Sequence, residues 1–258
     1  MTVYAKADKF CPPHVFFNGV MGEKKIKLSN RLSVVADFVK IGANVVDVGT
    51  DHGHIPVFLL QSGKCKTVVA SDINRGPLCK AKESAHLYGV ERQIQFVLTE
   101  GLKGIPYETV DTVITAGMGG ETIISILSAA GWTKNQKIDL ILQPQSKLDT
   151  LLEWLDKNEY QLHSVKLAED DGKIYIILLV SSRIGGTRPT IEGILSFLSD
   201  AEDPLLKEYL HAVLQKTERA LLEIKKSMRI ESTIQAERQR KNIEMYKRYL
   251  RGCEDWKE

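Results

Sequence analysis

The sequence predicts an α/β fold, a doubly wound and mostly parallel sheet followed by a helical hairpin. Three observations carry this. Short β-branched runs alternate with helix-period segments from Asn44 to Val180. The runs close on acids or glycine turns. Beyond Pro189 the strand signals stop, and apolar residues recur at helical spacing.

With 258 residues, 43% of them hydrophobic, the chain can bury one sizeable core and carry an extension. No apolar run approaches the roughly 20 residues of a membrane helix. Residues 1–20 lack a continuous apolar stretch and a small-residue cleavage pattern, so the expected location is cytoplasmic. Met21 offers an alternative start, which makes residues 1–20 a candidate non-native or loose extension. The four cysteines, Cys11, Cys65, Cys79 and Cys253, form no C-x-x-C pair, and His52 and His54 have no partner cluster, so no metal is expected. The net charge of +2 says little about partners by itself.

The alternation begins after a predicted helix over Lys24–Val39, where Leu28, Leu32, Val35, Ala36 and Val39 share a face. Val45-Val46-Asp47-Val48 is a strand, Gly49-Thr50-Asp51-His52-Gly53 a glycine-bounded turn, and Ile55–Leu60 the start of a helix. Such a turn lets a ligand approach the main chain beside helix amides. A dinucleotide site would want G-x-G-x-x-G, so that a pyrophosphate could rest on a bare turn. Here Asp51 replaces the second glycine and Asp47 precedes it. Two carboxylates repel a pyrophosphate but attract a sulfonium and an ammonium, so the charge favours S-adenosylmethionine.

Thr67–Ser71 is the second strand, ending at Asp72, 25 residues beyond Asp47 and placed to accept hydrogen bonds from ribose hydroxyls. A helix follows over Arg75–Tyr88. Ile94–Leu98 is the third strand, ending near Glu100 and Gly101, which could edge an adenine. Thr109–Ala116 leads into Gly117-Met118-Gly119-Gly120 and a helix over Glu121–Ala130. Lys137–Leu142 opens into Gln143-Pro144-Gln145-Ser146 and a helix to about Asn158. Gln161–Leu167 and Lys173–Val180 form an antiparallel hairpin at the sheet edge. The motifs fall at carboxyl ends of strands, where open α/β sheets bind ligands.

Ile184–Pro189 reads as a linker. The division expected is therefore an α/β domain over residues 21–183 and a coiled-coil-like helical domain over 184–258, with one helix carrying Leu206, Leu210, Val213, Ala220 and Ile224 and a second from about Ser232 to Leu250. Pro204–Arg251 holds twelve Lys or Arg against six Glu, a net +6. Arg238, Arg240, Lys241, Lys247, Arg248 and Arg251 could meet the phosphates of a polyanionic substrate, or form a solvated or dimer-forming face.

With these motifs assembled, the chain from about Leu28 onward resembles the bacterial tRNA (adenine-N1)-methyltransferase family that modifies adenine 22. The resemblance rests on Leu28-Ser29-Asn30-Arg31-Leu32, the Asp47–Gly53 turn, Ser71-Asp72-Ile73-Asn74, Glu100-Gly101-Leu102, Ala116-Gly117-Met118-Gly119-Gly120 and Leu142-Gln143-Pro144-Gln145. It implies a class I, Rossmann-like methyltransferase domain with a C-terminal coiled-coil hairpin, S-adenosylmethionine as cofactor and tRNA as partner. By the same resemblance, Asp47, Gly49, Asp51 and Gly53 line the methionine end of the cofactor. Asp72 with Ile73 and Asn74 lines its ribose, Glu100 and Gly101 its adenine, and Gly117 and Met118 close the pocket. Gln143, Pro144 and Gln145 lie beside the target base, and Asp51 is the candidate acid for the charge left on the purine. The chain is expected to act as a monomer, with a dimer as the alternative. A methyltransferase for another substrate and a cofactor-binding RNA adaptor without catalysis are the competing functions.

Overall fold

The computed structural model describes residues 24–226 and 230–254, so the expectation for residues 1–20 lies outside the described residues. Seven strands among them form one sheet: β1 (Val45–Val48), β2 (Val68–Asp72), β3 (Ile94–Leu98), β4 (Thr112–Gly119), β5 (Asp139–Ser146), β6 (Gln161–Asp170) and β7 (Lys173–Ser181). Their order is β3-β2-β1-β4-β5-β7-β6. β1 pairs in parallel with β2 on one side and β4 on the other, and β2 pairs in parallel with β3. β7 runs antiparallel to both β5 and β6. The order reverses at β1 and β4, the switch point at which such sheets open a ligand crevice.

The chain divides into two compact units, Met1–Ala116 with Ser125–Thr133, and Gly117–Ile124 with Lys134–Glu258. In the first unit all four residues of β1 are buried, the pattern of a parallel strand covered on both faces. Helices α1 (Asn30–Asp37), α2 (His54–Gln61) and α3 (Arg75–Leu87) belong to this unit. The apolar residues Val35, Ala36, Val57, Leu59 and Ala81 are almost wholly buried. The helix expected from Lys24 begins only at Asn30. Ile26 donates its amide to Gln61 Oε1 at 2.9 Å and Lys24 O accepts from Gln61 Nε2 at 2.9 Å, which ties the preceding backbone to a side chain. Ser29 then caps α1, its Oγ accepting from Leu32 N.

In the second unit, helices α4 (Gly120–Ser128, shared at its end with the first unit) and α5 (Leu148–Lys157) follow β4 and β5. α6 (Ile191–Asp200) occupies a stretch where sequence reasoning placed nothing between the linker and the hairpin. Its signal was present: Thr190 accepts from Gly193 N at 3.0 Å, and Ile194, Leu195 and Leu198 are buried at helical spacing. The two long helices are α7 (Leu206–Lys226) and α8 (Ile230–Glu254), packed against each other as the apolar stripe predicted. Lys247 pairs with Glu218 across them at 3.1 Å, Arg238 reaches Glu153 on α5 at 2.6 Å, and Arg248 reaches Glu192 on α6 at 2.7 Å. Three of the six cations expected to face phosphate are thus tied to carboxylates, whereas Arg240, Lys241 and Arg251 are exposed.

Candidate active site

In the first unit the turn after β1 is shaped by three residues with left-handed backbone: Gly49 (φ 69°), Asp51 (φ 49°) and Gly53 (φ 70°). Gly49 N and Thr50 N both donate to Ser71 O, at 2.8 and 3.0 Å, so the turn is latched to the end of β2. Gly53 is needed twice over. Its φ suits glycine, and a Cβ there would stand 3.0 Å from Ala81 Cβ on α3. The turn leads directly into α2 at His54.

The acids of this turn occupy different environments. Asp47 is 3% exposed, and burial pushes its carboxyl up to about 7, against a smaller lowering by Thr50 and with a further push from the charge of Asp72. Among the described residues, the buried Thr50 Oγ1 and Thr115 Oγ1 meet no partner in full hydrogen-bond geometry. Thr115 stands beside Val48 in the β1–β4 register. Two buried hydroxyls without full hydrogen bonds and a carboxyl starved of solvent, all near the end of β1, are groups that a polar, cationic ligand would satisfy. Asp51, by contrast, is an exposed carboxylate whose Oδ1 lies 3.7 Å from His52 Nε2. His52 stacks on His54 with ring centroids 5.5 Å apart, and burial together with His52 holds His54 below its usual value. Among the described residues no group of three or more His, Cys, Asp or Glu could hold a metal.

Asp72 ends β2 and is buried, with Oδ1 accepting from Asn74 N at 2.8 Å. That bond fixes the carboxylate orientation. Ile73 beside it is 62% exposed, an apolar surface next to a polar anchor. Glu100 is exposed in the turn after β3, and Gly101 (φ 59°) lies where a Cβ would meet Ile126 Cγ1 at 3.0 Å. The structure therefore brings Asp47, Gly49, Asp51, Gly53, Asp72, Ile73, Asn74, Glu100 and Gly101 to the carboxyl ends of β1, β2 and β3.

In the second unit, β4 runs on through Gly117-Met118-Gly119 and β5 through Gln143-Pro144-Gln145, further than the sequence predicted for either strand. Gly117 (φ 80°) donates its amide to Gln143 Oε1 at 2.9 Å. Gln143 is fully buried, and its Nε2 donates to Pro144 O at 3.2 Å, so this side chain positions the Gly117 backbone. Gln145 is exposed and Met118 half-buried. Gly119 and Gly120 let the β5–α5 turn pack closely: a Cβ on Gly119 would stand 3.2 Å from Ser146 Oγ, and one on Gly120 only 2.5 Å from Lys147 O. Pro144 and Gln145 line a cleft of about 870 Å³ together with Lys147, Lys173, Lys216 and Arg238. Sequence reasoning missed this cleft, because Lys173 and Lys216 are far apart in the chain and no local motif links them. It also missed Thr50 and Thr115, which only burial reveals.

The donor set suits a cation. Turn glycines flanked by Asp47 and Asp51, with an acid at the tip of β2, present negative charge where a dinucleotide fold presents bare amides. The comparisons agree. A family model described as a methyltransferase domain matches residues 28–178. The tRNA (adenine(22)-N(1))-methyltransferase of Bacillus subtilis (strain 168) is 32% identical over 192 residues, 74% of this chain and 80% of that protein. The crystal structure of the B. subtilis tRNA methyltransferase TrmK superposes with a TM-score of 0.75 at 27% identity, covering 88% of this chain and all of that one. A Streptococcus pneumoniae structure in complex with S-adenosyl-L-methionine gives a TM-score of 0.72 at 30% identity, over 87% of this chain and 100% of its own. By fold, by strand-end motifs and by these likenesses, the chain belongs to the tRNA (adenine-N1)-methyltransferases of the class I methyltransferase fold.

Proposed function

We propose that this protein transfers a methyl group from S-adenosylmethionine to N1 of adenine 22 in tRNA, acting as a monomer in the cytoplasm. Residues 21–183 serve as the methyltransferase domain and 184–258 as the helical domain. The observation that carries the reading is the acid-rich turn of Asp47 and Asp51 in a chain related over most of its length to a tRNA adenine-N1 enzyme.

S-adenosylmethionine, when bound, supplies the methyl group as an activated sulfonium. Asp47 and the Gly49–Gly53 turn hold the methionine end, Asp72 the ribose, and Ile73, Asn74, Glu100 and Gly101 the adenosine side. Gln143 holds Gly117 in place through its 2.9 Å hydrogen bond, so its contribution is positional. Pro144 and Gln145 face the target base. The transfer is an in-line displacement, for which alignment of donor and acceptor supplies much of the acceleration.

Adenine N1 carries a lone pair and needs no strong base. Its methylation leaves a positive charge on the purine, which an acid stabilises. Asp51 has an exposed carboxylate suited to this role. Asp51→Asn should weaken cofactor binding as a member of the turn and, at saturating cofactor, still lower kcat about 100-fold, the scale of one lost electrostatic contact in a transition state. Single-turnover methylation and calorimetric cofactor binding measure the two, and unchanged turnover would remove Asp51 from the role. N1 lies on the pairing edge, so the target nucleotide is taken unpaired.

A further inference from the structure

The cleft of about 870 Å³ in the second unit has three walls. The start of β7 contributes Lys173 and Tyr175, the start of α5 contributes Lys147 and Asp149, and the helical hairpin contributes Tyr209, Lys216 and Arg238. It begins at Pro144 and Gln145, the residues assigned to the target base. Its size falls within the roughly 300–1,000 Å³ of sites that enclose one small ligand, which admits a nucleotide or two and no duplex.

The cations lining it are not equivalent. Arg238 is bound to Glu153 and lies 3.9 Å from Asp149, so it serves to dock α8 on α5. Lys147 is 4.0 Å from Glu121. Lys173 and Lys216 are exposed and form no ion pair with a described residue. One comes from the edge hairpin of the sheet and the other from α7, so two free ammonium groups approach the cleft from separate elements. Tyr209 and Tyr246 are buried in its helical wall, and Asp149 and Glu208 are the acids among the lining residues. Two exposed cations from separate elements, on a cleft too small for a duplex, suit the phosphates of a single-stranded nucleic acid.

We propose that this cleft holds the unpaired nucleotides flanking the methylated adenine, with Lys173 and Lys216 as their phosphate contacts. The proposal rests on the RNA reading above and adds to it a site that α7 shares with the edge hairpin of the sheet. It assigns the edge hairpin of the sheet, and not only the basic helices, to substrate.

The test compares Lys173→Gln, Lys216→Gln and the double variant with Lys157→Gln, which removes the same charge from an exposed position on α5 outside the cleft. Methyl transfer to unmodified tRNA and filter binding are measured from 50 to 300 mM salt, with calorimetric S-adenosylmethionine affinity in parallel. Each cleft substitution should raise the KM for tRNA at least fivefold and the double variant at least twentyfold. Saturated kcat and cofactor affinity should stay within twofold. The salt slope of log K should shrink by about 0.7 per lysine, the increment of one single-strand phosphate contact. Lys157→Gln should change none of these more than twofold. If wild-type protein makes 1-methyladenosine in tRNA while the double variant matches Lys157→Gln in KM and salt slope, the cleft assignment is overturned and the RNA reading stands. If wild-type protein does not methylate tRNA, both fall.

Discussion

Replacing Asp47 by Asn separates what stabilises the fold from what serves the site. An ordinary carboxyl at 3.8 is pushed up to about 7 at this position, chiefly because it is buried. Ionising it inside the fold therefore costs about 4 kcal/mol, at 1.36 kcal/mol per pH unit. The folded state holds a proton that the unfolded chain has lost between pH 4 and 7. Stability from this group is thus fullest below pH 4, declines as pH rises through that window, and is flat above pH 7. A neutral Asn escapes the cost. In the absence of cofactor, Asp47→Asn should stabilise the protein by up to about 4 kcal/mol at pH 8 and about 2 kcal/mol at pH 5. For a chain of this length that is a Tm gain of about 10 °C at pH 8, shrinking by half at pH 5. The same variant should bind S-adenosylmethionine at least 30-fold more weakly at pH 8, because the cationic methionine end loses its counter-charge. Wild-type affinity should fall about tenfold per unit below pH 7, where binding must first expel the proton, and the variant should lack that slope. Scanning calorimetry and isothermal titration at the two pH values check all of this. A Tm gain equal at pH 5 and 8, or no gain at either, would refute the argument.

Other positions test the geometry more locally. Gln143→Leu leaves the Gly117 amide without its acceptor, which should destabilise by about 1–3 kcal/mol in a denaturant titration and lower kcat more than cofactor affinity. Gly120→Ala places a methyl 2.5 Å from Lys147 O and should cost about 1–3 kcal/mol, with loss of activity as the β5–α5 turn shifts. Asp72→Asn keeps an acceptor for Asn74 N but loses the charge toward ribose, so cofactor Kd should rise about tenfold or more by calorimetry with little change in Tm.

Much of this was legible in the sequence, for identifiable reasons. β1 is a run of buried β-branched residues around one acid, and the turn after it needs glycines at positions of positive φ, so strand and turn both leave a mark on composition. Asp72 was visible because strand ends in this fold recur at regular intervals. The start of α1 was misplaced because Gln61, 35 residues away from Ile26, takes that backbone's hydrogen bonds, and periodicity carries no trace of such a partner. α6 was overlooked although its cap and apolar spacing were present, since the glycine-rich Ile184–Pro189 stretch drew the boundary instead. The basic hairpin was read as a uniform charge field. The structure divides it, tying Arg238, Lys247 and Arg248 to acids on α5, α7 and α6 and leaving other cations exposed. Charge pairing between distant elements is a tertiary property, and composition reports only its sum.

The most direct test of the central claim is methyl transfer from labelled S-adenosylmethionine to tRNA lacking the modification, followed by nucleoside mass spectrometry. The account predicts 1-methyladenosine in the wild-type tRNA, and none when adenine 22 is replaced by guanine. Label in another nucleoside, label unaffected by that replacement, or no transfer by protein that binds the cofactor would contradict it.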